Sequence, residues 1–170
     1  GQIAKYGVTY WLPLASAVNV AQGGACLAVA VKTKDPKIKS LCFPSSLSAF
    51  MGITEPAIFG VNLRFFKPFI AGCLGGAVGA MFASIIRLGA TGTGVTGIFG
   101  ILLTLSNPVG YILTFIISMA VAFAASWVLT PSSLIDANLP VEPVEENKDA
   151  QALGSVDEAE ADKDLRVETK

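Results

Sequence analysis

Glu55 is the residue in this chain best placed to do chemistry. It stands in Gly52-Ile53-Thr54-Glu55-Pro56-Ala57, and the nearest cation in sequence is Arg64. A carboxylate accepts hydrogen bonds from two hydroxyls and can take a proton from one of them during group transfer. It also suits a cationic ligand. A metal would want several oxygen ligands close by, and the neighbouring residues supply none, so no metal is expected. The structural alternative is an ion pair with an arginine that holds the packing together. Pro56 removes an N–H and Gly52 loosens the chain, which leaves backbone groups free to meet a ligand.

A second polar group lies upstream. Asn19 and Gln22 are three residues apart and share a helix face. With Gly23 they offer amide donors and acceptors to a ligand's hydroxyls, or bonds that hold neighbouring helices together. Asp35, the other acid before residue 131, sits among lysines and reads as a solvated loop charge. The chain has no histidine, and its three cysteines, Cys26, Cys42 and Cys73, are far apart in sequence. That excludes the usual zinc sites and the Ser/His and Cys/His catalytic arrangements within this chain. The cysteines read as small buried hydrophobes.

These groups sit in an apolar body. Of 170 residues 52% are hydrophobic and 15% charged, with a mean hydropathy of +0.61, where a soluble domain carries about 25% charged residues. Residues 131–170 hold 11 of the 13 acids and four of the 12 bases, a net of −7; residues 1–130 hold the other two acids and eight bases. Ten charges cannot solubilise a globular surface of that size. The body is therefore expected to be an all-α membrane protein. The acidic tail cannot bury a core, which predicts disorder over 131–170. The start, Gly1-Gln2-Ile3-Ala4-Lys5-Tyr6, is neither a methionine start nor a signal peptide and reads as a join to something longer.

A bilayer core of about 30 Å takes about 20 apolar residues per helix. Phe69 to Ile86, closed by Arg87, and Gly110 to Thr130, with Tyr111 and Trp127 near its ends, qualify plainly. Tyr6 to Val31 is long enough but carries Pro13 and the Asn19–Gly24 polar cluster, so a broken or cavity-lining span is expected there. Lysines at 32, 34, 37 and 39, then Arg64 and Lys67, make two basic patches that favour the cytoplasm. With both on one side, residues 40–63 must enter and leave together, as a re-entrant hairpin broken by Pro44, Gly52, Pro56 and Gly60. The helix over 69–87 then runs outward, residues 88–109 form a Gly/Thr-rich connection free to dip back in, and the helix over 110–130 returns. An isolated membrane carboxylate at such a hairpin tip is as a rule functional. Gly72-x-x-x-Gly76 and Gly75-x-x-x-Gly79 allow close helix approach, within the chain or between two copies.

Gly52-Ile53-Thr54-Glu55-Pro56-Ala57-Ile58-Phe59-Gly60-Val61-Asn62-Leu63-Arg64, followed by Lys67-Pro68-Phe69-Ile70-Ala71-Gly72-Cys73, resembles the membrane IIC domain of the phosphoenolpyruvate-dependent sugar phosphotransferase system. Trp11-Leu12-Pro13-Leu14-Ala15-Ser16 and Asn19-Val20-Ala21-Gln22-Gly23-Gly24-Ala25 agree, so that the resemblance covers residues 5–130. Within the glucose superfamily of that domain it is most similar to the sucrose-specific IIBC type, with trehalose and β-glucoside permeases as neighbours.

The resemblance implies a multi-pass protein of the bacterial inner membrane with a cytoplasmic tail. Its Glu55 would contact the sugar near the hydroxyl to be phosphorylated, helped by Ile53 and Thr54. The implied partners are the sugar, a phosphorylated IIB domain, a IIA protein, the bilayer and a second copy of the intact protein; no nucleic acid and no cofactor are implied. The family's upstream histidine and its IIB phosphoryl-donor cysteine have no counterparts here, so the resemblance implies about the C-terminal half of a IIC domain, inactive alone. A proton- or cation-coupled secondary transporter or channel fragment using Glu55 is the rival reading from another class.

Overall fold

In the computed structural model, residues 2–92, 94 and 96–131 are described, apart from the side chains of Gln2 and Tyr6. The elements run α1 (Gln2–Tyr6), α2 (Trp11–Lys32), α3 (Pro36–Phe50), α4 (Glu55–Ala57), a π turn (Ile58–Asn62), α5 (Leu63–Phe65), α6 (Lys67–Ile85), a 3-10 helix (Gly97–Leu103) and α7 (Pro108–Leu129). One isolated bridge, Thr9 to Ala90, is the sole β pairing among the described residues. Helices α2, α6 and α7 are each long and apolar enough to cross a membrane.

The break expected in the first segment does not occur. α2 is continuous over 22 residues, because Pro13 falls in the first turn, where no intrahelical acceptor awaits its missing N–H. Gly23 and Gly24 are notches instead of breaks. A Cβ on Gly23 would stand 2.7 Å from the Phe50 ring, and one on Gly24 would stand 2.8 Å from the Met119 carbonyl oxygen. The helix carries two weak helix formers so that α3 and α7 can approach.

The three long helices pack through small residues. On α7 the buried positions include Gly110, Thr114, Ser118, Ala122 and Ser126, one every fourth residue, while Val109, Ile116 and Val128 point outward. Large apolar side chains outside and small polar ones inside is the inverse of a soluble core and suits a lipid-facing helix. Ser118 Oγ donates to Ala17 O at 2.5 Å and Ser126 Oγ to Ala25 O at 3.0 Å, which sets α2 and α7 parallel. Gly72, Gly75, Gly76 and Gly79 of α6 are all buried, against Gln22, Ala122, Val18 and Ser118 in turn, so α6 runs antiparallel to both. The glycine stripe packs within the chain, one of the two uses that its spacing allows.

Between α2 and α6 the chain makes a hairpin. Asp35 starts α3 as its N-cap, accepting from the Lys37 N–H at 2.8 Å, with Pro36 following. Its carboxylate is thus a helix cap as well as a loop charge. The 15 residues of α3 rise only about 22 Å, short of a bilayer core. The chain turns at Met51–Thr54 and comes back through α4, the π turn and α5. Both arms meet α2 at one level: Ser46 Oγ donates to Gly23 O at 2.7 Å, and Asn62 Nδ2 donates to Gln22 O at 3.0 Å. Phe66, in a left-handed conformation (φ 61°), swings the chain into α6.

α6 ends in a Schellman motif, with Arg87 left-handed (φ 50°), Arg87 N–H donating to Ser84 O and Leu88 N–H to Ala83 O. The connection that follows folds back on itself, as Thr91 N–H donates to Leu103 O at 2.8 Å. Asn107 then caps α7, accepting from the Gly110 N–H at 3.1 Å. The acidic tail expected over 131–170 lies, beyond Pro131, outside the described residues.

Candidate functional site

The hairpin turn carries Ile53, Thr54 and Glu55 at the far end of its two arms. Gly52 makes the turn with φ 101°, a conformation that L side chains rarely adopt. Ser48 closes it locally: its backbone oxygen accepts from the Ile53 N–H at 3.0 Å, and its Oγ donates to Ile53 O at 2.9 Å. Ile53 is exposed, Thr54 is half-buried at the N-cap of α4, and Glu55, the first residue of that helix, is exposed. Its carboxylate therefore stands outside the packed interior, on a turn, available to a ligand.

The upstream polar residues divide between two places. Asn19 belongs with the tip, where its Nδ2 donates to Thr96 Oγ1 at 2.9 Å and Thr96 lies against Gly52. Gln22 and Gly23 lie deeper, where the arms dock. The Gln22 Oε1 accepts from Asn62 Nδ2 at 2.8 Å, its Nε2 faces Cys73 Sγ at 3.9 Å, and the residue is only 2% exposed. Gly23 lies under the Phe50 ring and accepts from Ser46. These two hold the hairpin.

Three residues of this region gave little signal in the sequence. Asn62 is completely buried in the return arm, and its lone amide within an apolar stretch was the available clue. Thr96 and Gly97 come from the Gly/Thr-rich connection, which reaches back to the tip: a Cβ on Gly97 would overlap the Phe50 carbonyl oxygen, and Tyr111 OH donates to Gly97 O. Nothing in the composition of that loop says which of its residues turns inward. Of the cysteines, Cys26 and Cys42 are buried neighbours, with Cys26 Sγ 3.5 Å from Cys42 O. Cys73 is exposed, contrary to expectation, because α6 turns Gly72 and Gly76 inward and leaves Cys73 at the edge of that face.

Residues 5–76, which include the whole hairpin and the tip carboxylate, match the family model "Phosphotransferase system, EIIC". The chain is also similar to sucrose-specific EIIBC components of the phosphotransferase system. The Salmonella typhimurium protein is 50% identical over 124 residues, 72% of this chain and 27% of the relative. The Klebsiella pneumoniae protein is 50% identical over 117 residues, covering 69% and 25%. The Bacillus subtilis (strain 168) protein is 44% identical over 130 residues, covering 75% and 28%. The chain thus spans about a quarter of the length of the curated relatives it matches. No solved structure matches it. Three apolar helices of spanning length, together with this similarity, support a multi-pass membrane protein.

Proposed function

We propose that this chain forms the sugar-translocating part of a sucrose-type phosphotransferase permease, with Glu55 at the sugar site. The observation that carries the reading is the exposed Glu55 carboxylate on the turn of a hairpin too short to cross a bilayer. In an apolar body such a charge is tolerated where it meets a polar cavity or ligand. Ile53 and Thr54 lie beside it and present backbone groups and a hydroxyl to the same ligand. Asn19 sits next to the tip, and Gln22 and Gly23 serve the site by holding the arms.

The chemistry is phosphoryl transfer to a sugar hydroxyl. Glu55 accepts that hydroxyl's hydrogen bond in the resting complex. As the oxygen attacks phosphorus and the bond to the donor cysteine of a phosphorylated IIB domain breaks, Glu55 takes the proton. A IIA protein recharges IIB. Lys32 to Lys39, Arg64 to Lys67 and the acidic tail lie on the cytoplasmic side of a bacterial inner membrane, where those partners work, and the intact permease is a homodimer.

Replacement of Glu55 by Gln in the intact permease tests the reading. A carboxylate–hydroxyl hydrogen bond is worth ~1.5–3 kcal/mol, so sugar binding weakens roughly tenfold or more and phosphoenolpyruvate-dependent phosphorylation falls further. Phosphorylation at the wild-type rate in normally inserted E55Q removes Glu55 from the site. Accumulation of free sugar driven by an ion gradient refutes the phosphotransferase reading itself.

A further inference from the structure

Two left-handed glycines are stacked at the hairpin tip. Gly52 has φ 101° and Gly97 has φ 69°. A Cβ on Gly52 would come within 2.6 Å of Thr96 Oγ1, and one on Gly97 within 2.7 Å of the Gly52 nitrogen. Neither position has room for a side chain, so the two backbones touch directly. The 96–97 turn is itself anchored on both sides. Thr96 Oγ1 accepts from Asn19 of α2 at 2.9 Å, and Gly97 O accepts from Tyr111 of α7.

The tip has little stability of its own. The return arm, α4, the π turn and α5, is one short helical run whose middle has lost regular α geometry, and Ile53 and Glu55 at its start face outward. Ser48 and the docked return arm hold the tip from two sides, and the 96–97 turn is pressed against residues 50–52 on a third.

We propose that Thr96 and Gly97 form a latch that positions the Ile53–Glu55 tip, so that the connection after α6 sets the geometry of the sugar site. Both are positioning residues, since they act through Gly52 and Phe50. The inference rests on the sugar-site reading of Glu55 for its consequence in turnover. The latch itself is a statement about the tip. A bound sugar reaches transfer geometry when the carboxylate is held in place, and small misplacements cost rate out of proportion to their size.

The experiment uses the intact permease in membranes. Thr96→Val keeps the shape and removes the acceptor for Asn19, whereas Thr96→Ser keeps the hydroxyl. The first readout is the rate at which a maleimide labels an Ile53→Cys tip in a Cys73→Ser background. Loss of one hydrogen bond from the latch raises that rate about fivefold in Thr96→Val, and Thr96→Ser restores it. The second readout, with Ile53 intact, is sugar phosphorylation: Thr96→Val lowers kcat more than it raises KM, at unchanged abundance, and Thr96→Ser recovers. A wild-type labelling rate in Thr96→Val overturns the latch, as does a Thr96→Ser variant as impaired as Thr96→Val. Glu55→Gln is run beside them. If it phosphorylates normally, the sugar-site reading falls, and the labelling rates still decide the latch.

Discussion

Lys32 Nζ donates to the Trp127 carbonyl oxygen at 2.6 Å and lies 5.2 Å from the centre of the Trp127 ring. The contact ties the C-terminal end of α2 to that of α7 and satisfies one of the last carbonyls of α7. It brings the lysine-rich loop and the point where the acidic tail begins to one end of the bundle. The antiparallel α6 starts at that same end, at Lys67.

A topology prediction follows directly. Single cysteines at Lys34 and Lys67, in a Cys73→Ser background, react with a membrane-impermeant thiol reagent from one side only, and a cysteine at Thr91 reacts from the other. Opposite-side labelling of positions 34 and 67 means that residues 36–65 cross the bilayer, and the hairpin is wrong. Trp127→Ala, which deletes the ring beneath Lys32, leaves this pattern intact, because the serine bonds between α2 and α7 remain.

The small-residue packing makes a second prediction. An added methyl at Gly75 meets Ala122 Cβ at 2.5 Å, whereas at Gly60 nothing lies within 4 Å. Gly75→Ala forces α6 away from α7 at a cost of ~1–3 kcal/mol. Gly60→Ala, in the π turn with ordinary φ, is neutral or slightly stabilising. Thermal aggregation of the detergent-solubilised protein, followed by size-exclusion chromatography, reads the difference. Equal thermal midpoints for the two variants contradict the packing described here.

Gln22 and Asn19 look equivalent in the sequence and are not equivalent in the fold. Asn62→Ala leaves the buried Gln22 Oε1 unpaired, at a cost of ~1–3 kcal/mol, and Gln22→Ala removes one of the two acceptors of the buried Asn62 amide. Both lower abundance and thermal midpoint, and the protein that does insert binds sugar normally. Asn19→Ala, half-buried beside the tip, weakens sugar affinity and leaves abundance unchanged. Sugar titrations on abundance-matched membranes separate the two groups. Normal abundance with lost affinity in Gln22→Ala would put its amide at the ligand after all.

That pair also shows how far the fold could be read from residue order. Hydropathy located α6 and α7 closely, and the basic patches at 32–39 and 64–67 demanded a hairpin between them. Pro13 and Gly23-Gly24 misled, because a helix breaker by propensity is harmless in a first turn and a glycine within a helix serves as a notch once a neighbour fills it. Neither effect is visible without the partner helix. The contact of Thr96 and Gly97 with Phe50 and Gly52 depends on two positive-φ turns meeting across more than forty residues. Propensity describes each turn but cannot pair them.

The two acids of the body give the last prediction, since the fold assigns them opposite kinds of work. Asp35 caps α3 with one oxygen on the Lys37 N–H. Asparagine caps as well as aspartate, so Asp35→Asn changes neither stability nor sugar phosphorylation, while Asp35→Ala destabilises by ~0.5–2 kcal/mol and leaves the affinity of the folded protein alone. Glu55 is not the N-cap of α4, a place that Thr54 takes, and is exposed, so its substitution changes the thermal midpoint little and acts on the ligand. Glu55→Asp keeps a proton acceptor but withdraws it by one methylene, so it loses affinity and retains more phosphorylation than Glu55→Gln at saturating sugar. Ranking sugar phosphorylation as wild type, then Glu55→Asp, then Glu55→Gln, with equal thermal midpoints throughout, identifies proton acceptance as the role of Glu55. Equal rates in the Asp and Gln variants would leave it a hydrogen-bond acceptor only, and a lowered midpoint in both would make it a structural charge.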